Sequence, residues 1–330
     1  MSTPYILYGS ELSPYSVKLR SYVRYKAIPH RWVARRAENQ AEFERHARLP
    51  ILPTVVAPDG EDLQDSTPII ERIEALNPAP SIHPPSPALA FLSALVEEMG
   101  DEWGNKLMFH SRWWAEVDQM AAANTCARLQ QPDAGEAALV KIAAQFRERM
   151  MGRRHFVGSS AAAAPLITAW FIELVDLLEA HLQGRRYLFG ARPAFGDFGL
   201  GPEMFEAAFD PSCGAILRSR GAAVLDWCFR MNEPRADGPF EDWPELAPTL
   251  APILAYTGRY FLPWSDANAR ALAAGEAEFT VELGGKAYAQ PPQKYHAKSL
   301  AALRAKFHAV AGDPELGGIL DAAGCLAWLR

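Results

Sequence analysis

Residues 5–20, reading Tyr-Ile-Leu-Tyr-Gly-Ser-Glu-Leu-Ser-Pro-Tyr-Ser-Val-Lys-Leu-Arg, constrain the fold more than any other stretch of this chain. The aromatic and apolar run Tyr5, Ile6, Leu7, Tyr8 predicts a strand, Gly9 to Leu12 a turn, and the residues after Ser13 a helix. Pro14 has a ring-fixed φ and no N–H to lose, which suits the first helical position and makes Ser13 the N-cap. Tyr15, Leu19, Tyr22 and Val23 share one helical face, while Lys18, Arg20, Ser21 and Arg24 fall on others, so the helix is amphipathic and packs on a sheet. Its first turn, with free N–H groups and the positive end of the helix dipole, favours an anion beside the Ser13 hydroxyl. A serine that only starts a helix explains the same residues.

Residues 30–34 (His-Arg-Trp-Val-Ala) predict a second strand and residues 38–47 a polar helix, which together suggest a parallel βαβ unit. Leu49-Pro50-Ile51-Leu52-Pro53-Thr54-Val55-Val56, the turn Pro58-Asp59-Gly60 and residues 61–64 then read as an antiparallel hairpin. Pro53 belongs at the start, edge or bend of the first of those strands. Gln64-Asp65-Ser66-Thr67-Pro68 opens a helix whose Ile69, Ile70, Ile73 and Leu76 follow a 3.6-residue period. Ser66 or Thr67 is an ordinary cap there. The same turn also suits a carboxylate on its free N–H groups and the Ser66 hydroxyl, with an ammonium on Gln64 or Asp65.

At 330 residues, with 49% hydrophobic and 22% charged residues, the chain is large enough for two cores. A net charge of -6 leaves no basic excess for phosphates and argues against nucleic acid as the main partner. The N-terminal residues show no basic segment followed by an apolar stretch, so no secretory signal is expected. The most apolar window, residues 161–178, contains Pro165, Glu173 and Asp176 and reads as a buried helix rather than a membrane span. Cys126, Cys213, Cys228 and Cys325 form no Cys-x-x-Cys pair and have no histidines at metal-ligand spacing. They read as small buried hydrophobes in a reducing compartment, and no metal is expected.

Ser13-Pro14-Tyr15-Ser16 resembles the Cys-Pro-Tyr-Cys turn of glutaredoxins with both thiols replaced by hydroxyls. With Leu7-Tyr8 ahead of it, the stretch resembles the serine-type cytosolic glutathione transferases, such as the Theta and Zeta classes. The resemblance implies an α/β thioredoxin-like domain over residues 1–78, a proline-dense linker over 79–86, and an all-α substrate domain over 87–330. From about residue 232 the chain exceeds the usual size of such a protein. The helical pattern covers residues 88–106, 137–151, 166–182, 198–209, 223–231, 248–261 and 299–309, and residues 279–288 alternate around Gly284-Gly285 as a hairpin would.

The resemblance also implies glutathione as co-substrate, with no metal. Ser13 hydrogen-bonds the sulfur and favours its thiolate; lowering a thiol of pKa ~8.5 by about two units is worth ~2.7 kcal/mol. Tyr15 positions Ser13 or packs, Ser16 is a second hydroxyl, Leu52 and a cis Pro53 present backbone groups to the cysteinyl unit, and Gln64, Asp65 and Ser66 hold the γ-glutamyl end. The family often has a basic residue for the glycyl carboxylate where this chain has Ile51; Gln40, His46 and Arg48 are substitutes. His110, Trp113 and Trp114 are candidates for the acceptor pocket, His110 as a base, although an aromatic stripe also suits a core. Arg112 suits an anionic substrate or a surface ion pair. Asp197 matches a helix-starting aspartate, but Ala194 has no hydroxyl, so only half a capping box remains.

The activity implied is conjugation of the glutathione thiolate to a hydrophobic electrophile, without a covalent enzyme intermediate. A cytoplasmic homodimer acting in detoxification completes the expectation. Two alternatives stand beside it. One is a non-catalytic ligand carrier or interaction protein, supported by Ile51 and the long C-terminal region. The other is a glutathione-dependent isomerase, dehalogenase or ether-cleaving enzyme. No cysteine occurs in the first eighty residues, which argues against thiol–disulfide chemistry at Ser13.

Overall fold

The computed structural model describes residues 3–330. Its first unit is a sheet of order β2-β1-β3-β4, made of β1 (Tyr5–Gly9), β2 (His30–Ala34), β3 (Thr54–Val56) and β4 (Asp62–Gln64). β1 and β2 are parallel and joined through α1 (Pro14–Tyr25); β3 runs antiparallel to β1, and β4 antiparallel to β3. The helices α2 (Gln40–His46) and α3 (Ser66–Leu76) complete a thioredoxin-like unit. Tyr8 pairs with Thr54, and Thr54 pairs with Gln64, so these three residues form one row across the sheet. The chain leaves β1, enters β3 and leaves β4 at that row. The turn bearing Ser13, the Leu52–Pro53 bond and the Asp65–Ser66 corner therefore emerge at the same end of the sheet.

The second region begins with α4 (Pro87–Met99), a π-helical turn (Gly100–Gly104) and α5 (Asn105–Trp114). A helical hairpin of α6 (Glu116–Gln130) and α7 (Glu136–Met151) follows, then α8 (Ala164–Leu182), α9 (Phe195–Phe209), α10 (Pro211–Arg220) and α11 (Ala222–Arg230). α9 is buried almost throughout, because a Cβ on Gly199 would lie 2.5 Å from the Glu97 carbonyl oxygen and one on Gly100 would lie 2.5 Å from the Leu200 nitrogen. Only glycine permits backbones that close. Asp197 forms the half of the capping box available to it, accepting the Ala194 N–H at 2.8 Å; it also accepts Leu188 N–H and Trp227 Nε1–H, each at 2.8 Å. Ala194 has no acceptor to return.

Both faces of α1 are covered, unlike the one-sided helix its sequence predicts. Tyr22 and Val23 belong to the main core, and Lys18, Arg20 and Ser21 are buried as well. Lys18 Nζ reaches Glu97 Oε1 and Asp101 Oδ2, each at 2.5 Å, and Thr67 Oγ1 at 2.8 Å, while Ser21 donates to the Met231 carbonyl. Polar residues on that face are interior because they meet polar partners: Lys18 on α3, α4 and the π-helical turn, Arg20 on Glu11, and Ser21 on the Met231 carbonyl.

The C-terminal part contains α12 (Trp243–Tyr256), a second π-helical turn (Thr257–Phe261), α13 (Leu262–Ala274), strands β5 (Phe279–Leu283) and β6 (Lys286–Gln290), α14 (Lys294–Val310), α15 (Pro314–Ala322) and α16 (Leu326–Leu329). The region after residue 87 is thus helical as expected, apart from one hairpin, β5–β6. β5 and β6 form the hairpin expected from the sequence, turning on Gly284 (φ 56°) and Gly285 (φ 77°), both in the region a two-residue hairpin loop requires. α12 begins at Trp243 rather than at Pro248, since Asp242 and Glu245 start it and buried Leu246 and Leu250 anchor it. The residues after 232 finish the main core: Leu250, Leu254, Phe261, Trp264, Leu303 and Leu320 share one buried cluster with Leu7, Val23, Leu92 and Phe198.

Candidate active site

Ser13 caps α1 in extended backbone (φ −116°, ψ 109°), its Oγ accepting the Ser16 N–H at 3.3 Å. The hydroxyl proton is not used by that bond, so Oγ can donate outward. The turn before it is held from the helical region. Arg112 Nη1 donates to the Leu12 carbonyl at 3.3 Å, while Nε and Nη2 of the same guanidinium pair with Asp210 and Glu206 at 2.9 Å. Arg112 is 4% exposed and forms a buried ion-pair network rather than the surface pair or substrate contact its sequence context suggested.

Ser13 opens onto a cleft of about 250 Å³. One wall belongs to the α/β unit: Ser10, Leu12, Ser13 and Leu52, with Arg35, Arg36 and Gln40 beyond β2. The opposite wall is the α6–α7 hairpin, through Cys126, Leu129, Gln130, Phe146, Arg149 and Met150, with Arg153 just past it. The Ala37 N–H donates to the Gln130 carbonyl at 3.1 Å and ties the two walls together. Burial pushes the Cys126 thiol up to about 11, which keeps it protonated and a poor nucleophile.

The Leu52–Pro53 bond is cis. Leu52 lines the cleft and Ile51 is exposed to solvent. Among the three substitutes for a basic residue at position 51, Gln40 lines the cleft, whereas His46 bonds Asp62 at 2.7 Å and stacks on Tyr8, and Arg48 is exposed outside the cleft lining. Gln64 uses both ends of its amide within the fold: Oε1 accepts the Leu49 N–H at 3.0 Å, and Nε2 donates to the Leu49 carbonyl at 2.8 Å and Thr54 Oγ1 at 2.9 Å. It braces the loop in front of Pro53. Asp65 holds φ 81°, a left-handed conformation uncommon outside glycine, and accepts a hydrogen bond from the Tyr295 hydroxyl at 3.0 Å. Ser66, the first residue of α3, is buried.

Other candidates stand apart from the cleft lining. The Tyr15 hydroxyl donates to the Asp101 carbonyl at 2.8 Å, and burial, with Glu203, Glu102 and Asp101 adding, keeps that phenol protonated. Ser16 is fully buried, and its Oγ has no hydrogen-bond partner among the described residues. His110 and Trp113 are each 1% exposed; the imidazole bonds Ser159 Oγ at 2.8 Å and stacks on Trp114, and burial, with Lys106 and Arg154 adding, pushes it down to about 4. Trp113 sits in a small separate core with Ala122, Ala123, Ala127, Leu139 and Ala143. None of His110, Trp113 and Trp114 lines the cleft. The reason is the α6–α7 hairpin, which folds over that face of α5 and becomes the wall in its place. The sequence signal for that wall is the spacing of Phe146, Arg149, Met150 and Arg153 along one helical stripe.

Among the described residues no group of three or more His, Cys, Asp or Glu is placed to hold a metal ion, and no helix is long and apolar enough to cross a membrane. No curated protein matches the chain in sequence. Solved structures similar to it include a glutathione S-transferase from Rhodospirillum rubrum F11 (18% identity, 68% of this chain and 86% of that one, TM-score 0.44). Another is the Tau class glutathione S-transferase of mango, Mangifera indica (13%, 75% and 97%, TM-score 0.43). A third is a glutathione S-transferase from Methylobacillus flagellatus solved with glutathione bound (17%, 69% and 94%, TM-score 0.42). Residues 7–81, which carry Ser13, Leu52–Pro53 and Asp65–Ser66, match the family model of the glutathione S-transferase N-terminal domain.

Proposed function

We propose that this chain is a glutathione transferase in which Ser13 stabilises the thiolate of bound glutathione for attack on an electrophile in the adjoining cleft. The observation that carries the reading is the row Tyr8, Thr54, Gln64, because it sends Ser13, Leu52–Pro53 and Asp65–Ser66 to one end of the sheet inside the segment matched by the family model. On this reading glutathione lies across that end with its sulfur at Ser13. The Ser13 hydroxyl donates to the sulfur and the start of α1 adds its dipole, so charge is stabilised by groups already in position. Leu52 offers its backbone to the cysteinyl unit, and Asp65 with Ser66 takes the γ-glutamyl end. Domains spanning residues 1–78 and 87–330, and a cytoplasmic homodimer, belong to the same reading.

Isothermal calorimetry with glutathione is the test. Dissociation in the micromolar range supports a transferase, and dissociation weaker than millimolar removes the co-substrate. A carrier without catalysis is the second reading. It is favoured by the Tyr295 contact to Asp65 and by exposed Ile51 where a basic residue is common.

A further inference from the structure

The cleft at Ser13 is cationic in a protein that is acidic overall. Its lining contains Arg35, Arg36, Arg149 and Arg153 and no aspartate or glutamate, against a formal net charge of -6 for the chain. Arg36 has Glu38 at 3.3 Å, but among the described residues no carboxylate oxygen lies within 4.0 Å of Arg35, Arg149 or Arg153. Two of these guanidinium groups are set on aromatic rings: Arg35 over Phe43 at 4.3 Å and Arg149 over Phe146 at 4.6 Å. Arg35 is also held by Gln40 Oε1 at 3.3 and 3.4 Å, and burial together with the nearby Arg149 makes its positive charge harder to keep, which Glu44 offsets only in part. Like charges gathered in one cleft raise the energy of the free protein, and an anion that enters relieves them.

We infer that the acceptor substrate carries a carboxylate or comparable anion, bound by Arg149 and Arg153 across the cleft from Ser13, and is not the purely hydrophobic electrophile the sequence implied. This inference rests on the proposed glutathione reading for the chemistry but not for the anion. Arg149 and Arg153 are four residues apart at the end of α7 and just beyond it, on the wall facing the α/β unit. Leu12, Leu129 and Met150 leave room for an apolar body between the anion and the Ser13 hydroxyl. Guanidinium groups suit a planar carboxylate because they donate two parallel hydrogen bonds.

The test compares 4-chloro-3-nitrobenzoate with its methyl ester in conjugation with glutathione, each rate corrected for the uncatalysed reaction with thiolate. In the transfer the sulfur forms a bond to the ring carbon and chloride leaves with the electron pair. The full-length protein is expected to favour the acid over the ester at least tenfold in kcat/KM. The Arg149→Ala, Arg153→Ala double variant is expected to lose that preference through KM for the acid, and Arg149→Lys to recover part of it. An equal acid-to-ester ratio in both proteins overturns the inference. So does a double variant in which glutathione affinity falls instead, because the arginines then serve the tripeptide's own carboxylate. If neither compound is conjugated, the transferase reading fails by itself, and calorimetry with the benzoate alone decides the anion site. Binding that is lost in the double variant upholds the site; no binding to the wild type ends it.

Discussion

Tyr295, in the first turn of α14, donates its hydroxyl proton to Asp65 Oδ2 at 3.0 Å and so joins residues 230 apart in sequence. Next to it His296 bonds Glu102, on the π-helical turn that also receives Tyr15 and Lys18. The C-terminal part of the chain therefore touches the corner of the α/β unit that glutathione is proposed to occupy. Burial pushes the Asp65 carboxyl up, while Tyr295, Lys18 and Lys298 pull it back. Tyr295→Phe keeps the ring and removes one partly exposed hydrogen bond, worth about 0.5–1.5 kcal/mol. Amide exchange at the start of α14 is expected to quicken while the sheet keeps its protection; an unchanged exchange map would dissolve the link.

Ser13→Ala removes a long capping bond, so the expected stability loss is about 1 kcal/mol or less. The proposed role predicts a larger change in chemistry, with the bound glutathione thiol pKa rising by about one to two units. Ultraviolet titration of the thiolate in the complex measures it. The same titration midpoint in both proteins takes Ser13 out of the mechanism.

Arg112 is predicted to matter for stability and for the shape of the Ser13 turn. Arg112→Ala leaves buried Asp210 and Glu206 without their cation and is expected to cost about 3–5 kcal/mol in urea unfolding. Arg112→Lys keeps the charge but not the fork that reaches Asp210, Glu206 and the Leu12 carbonyl together, so it recovers only part of the loss. Full recovery by lysine contradicts the geometric role.

Stability is expected to fall as pH rises from 6.5 to 8. Burial pushes Asp101, Asp197 and Glu206 up to about 7 and raises Glu98 and Glu203 well above the usual range. Lys18 and Arg112 pull part of the way back. These carboxyls bind protons in the folded state that the unfolded chain has released, so their contribution is complete below pH ~4 and is lost as pH climbs through the folded values. Buried His110 and His181, each pushed down to about 4, work the other way, but only below their unfolded value near 6.5. Above that value the histidines drop out and buried Lys106, whose charge burial makes harder to keep, is the group that opposes the carboxyls; each carboxyl acts at up to ~1.4 kcal/mol per pH unit for the proton it releases. Both oxygens of Glu203 are buried without a partner among the described residues, so Glu203→Gln should flatten the slope. A urea midpoint that rises from pH 6.5 to 8 contradicts the assignment.

The sequence by itself determined the α/β unit and the local identity of its corners. Strand alternation, Pro14 behind a serine, Pro-Asp-Gly in a hairpin and Asp-Ser ahead of an Ile-rich helix are short-range signals that act within a few residues. The Gly284-Gly285 turn was legible for the same reason. Tertiary structure decided what lay opposite those corners. Nothing local in His110, Trp113 and Trp114 tells a pocket wall from a core; that was settled when α6 and α7 folded across α5. α6 has mostly alanines on its buried side and gives a weak periodic signal, so the hairpin was not legible, and the stripe of Phe146, Arg149, Met150 and Arg153 did not by itself tell that it faces Ser13. Likewise Gln64 and Arg112 carry groups able to bind a ligand, and only long-range partners, the Leu49 backbone for one and Asp210 with Glu206 for the other, commit them to holding the fold. Local chemistry sets what a side chain can do, and burial against distant segments sets which of those possibilities remains.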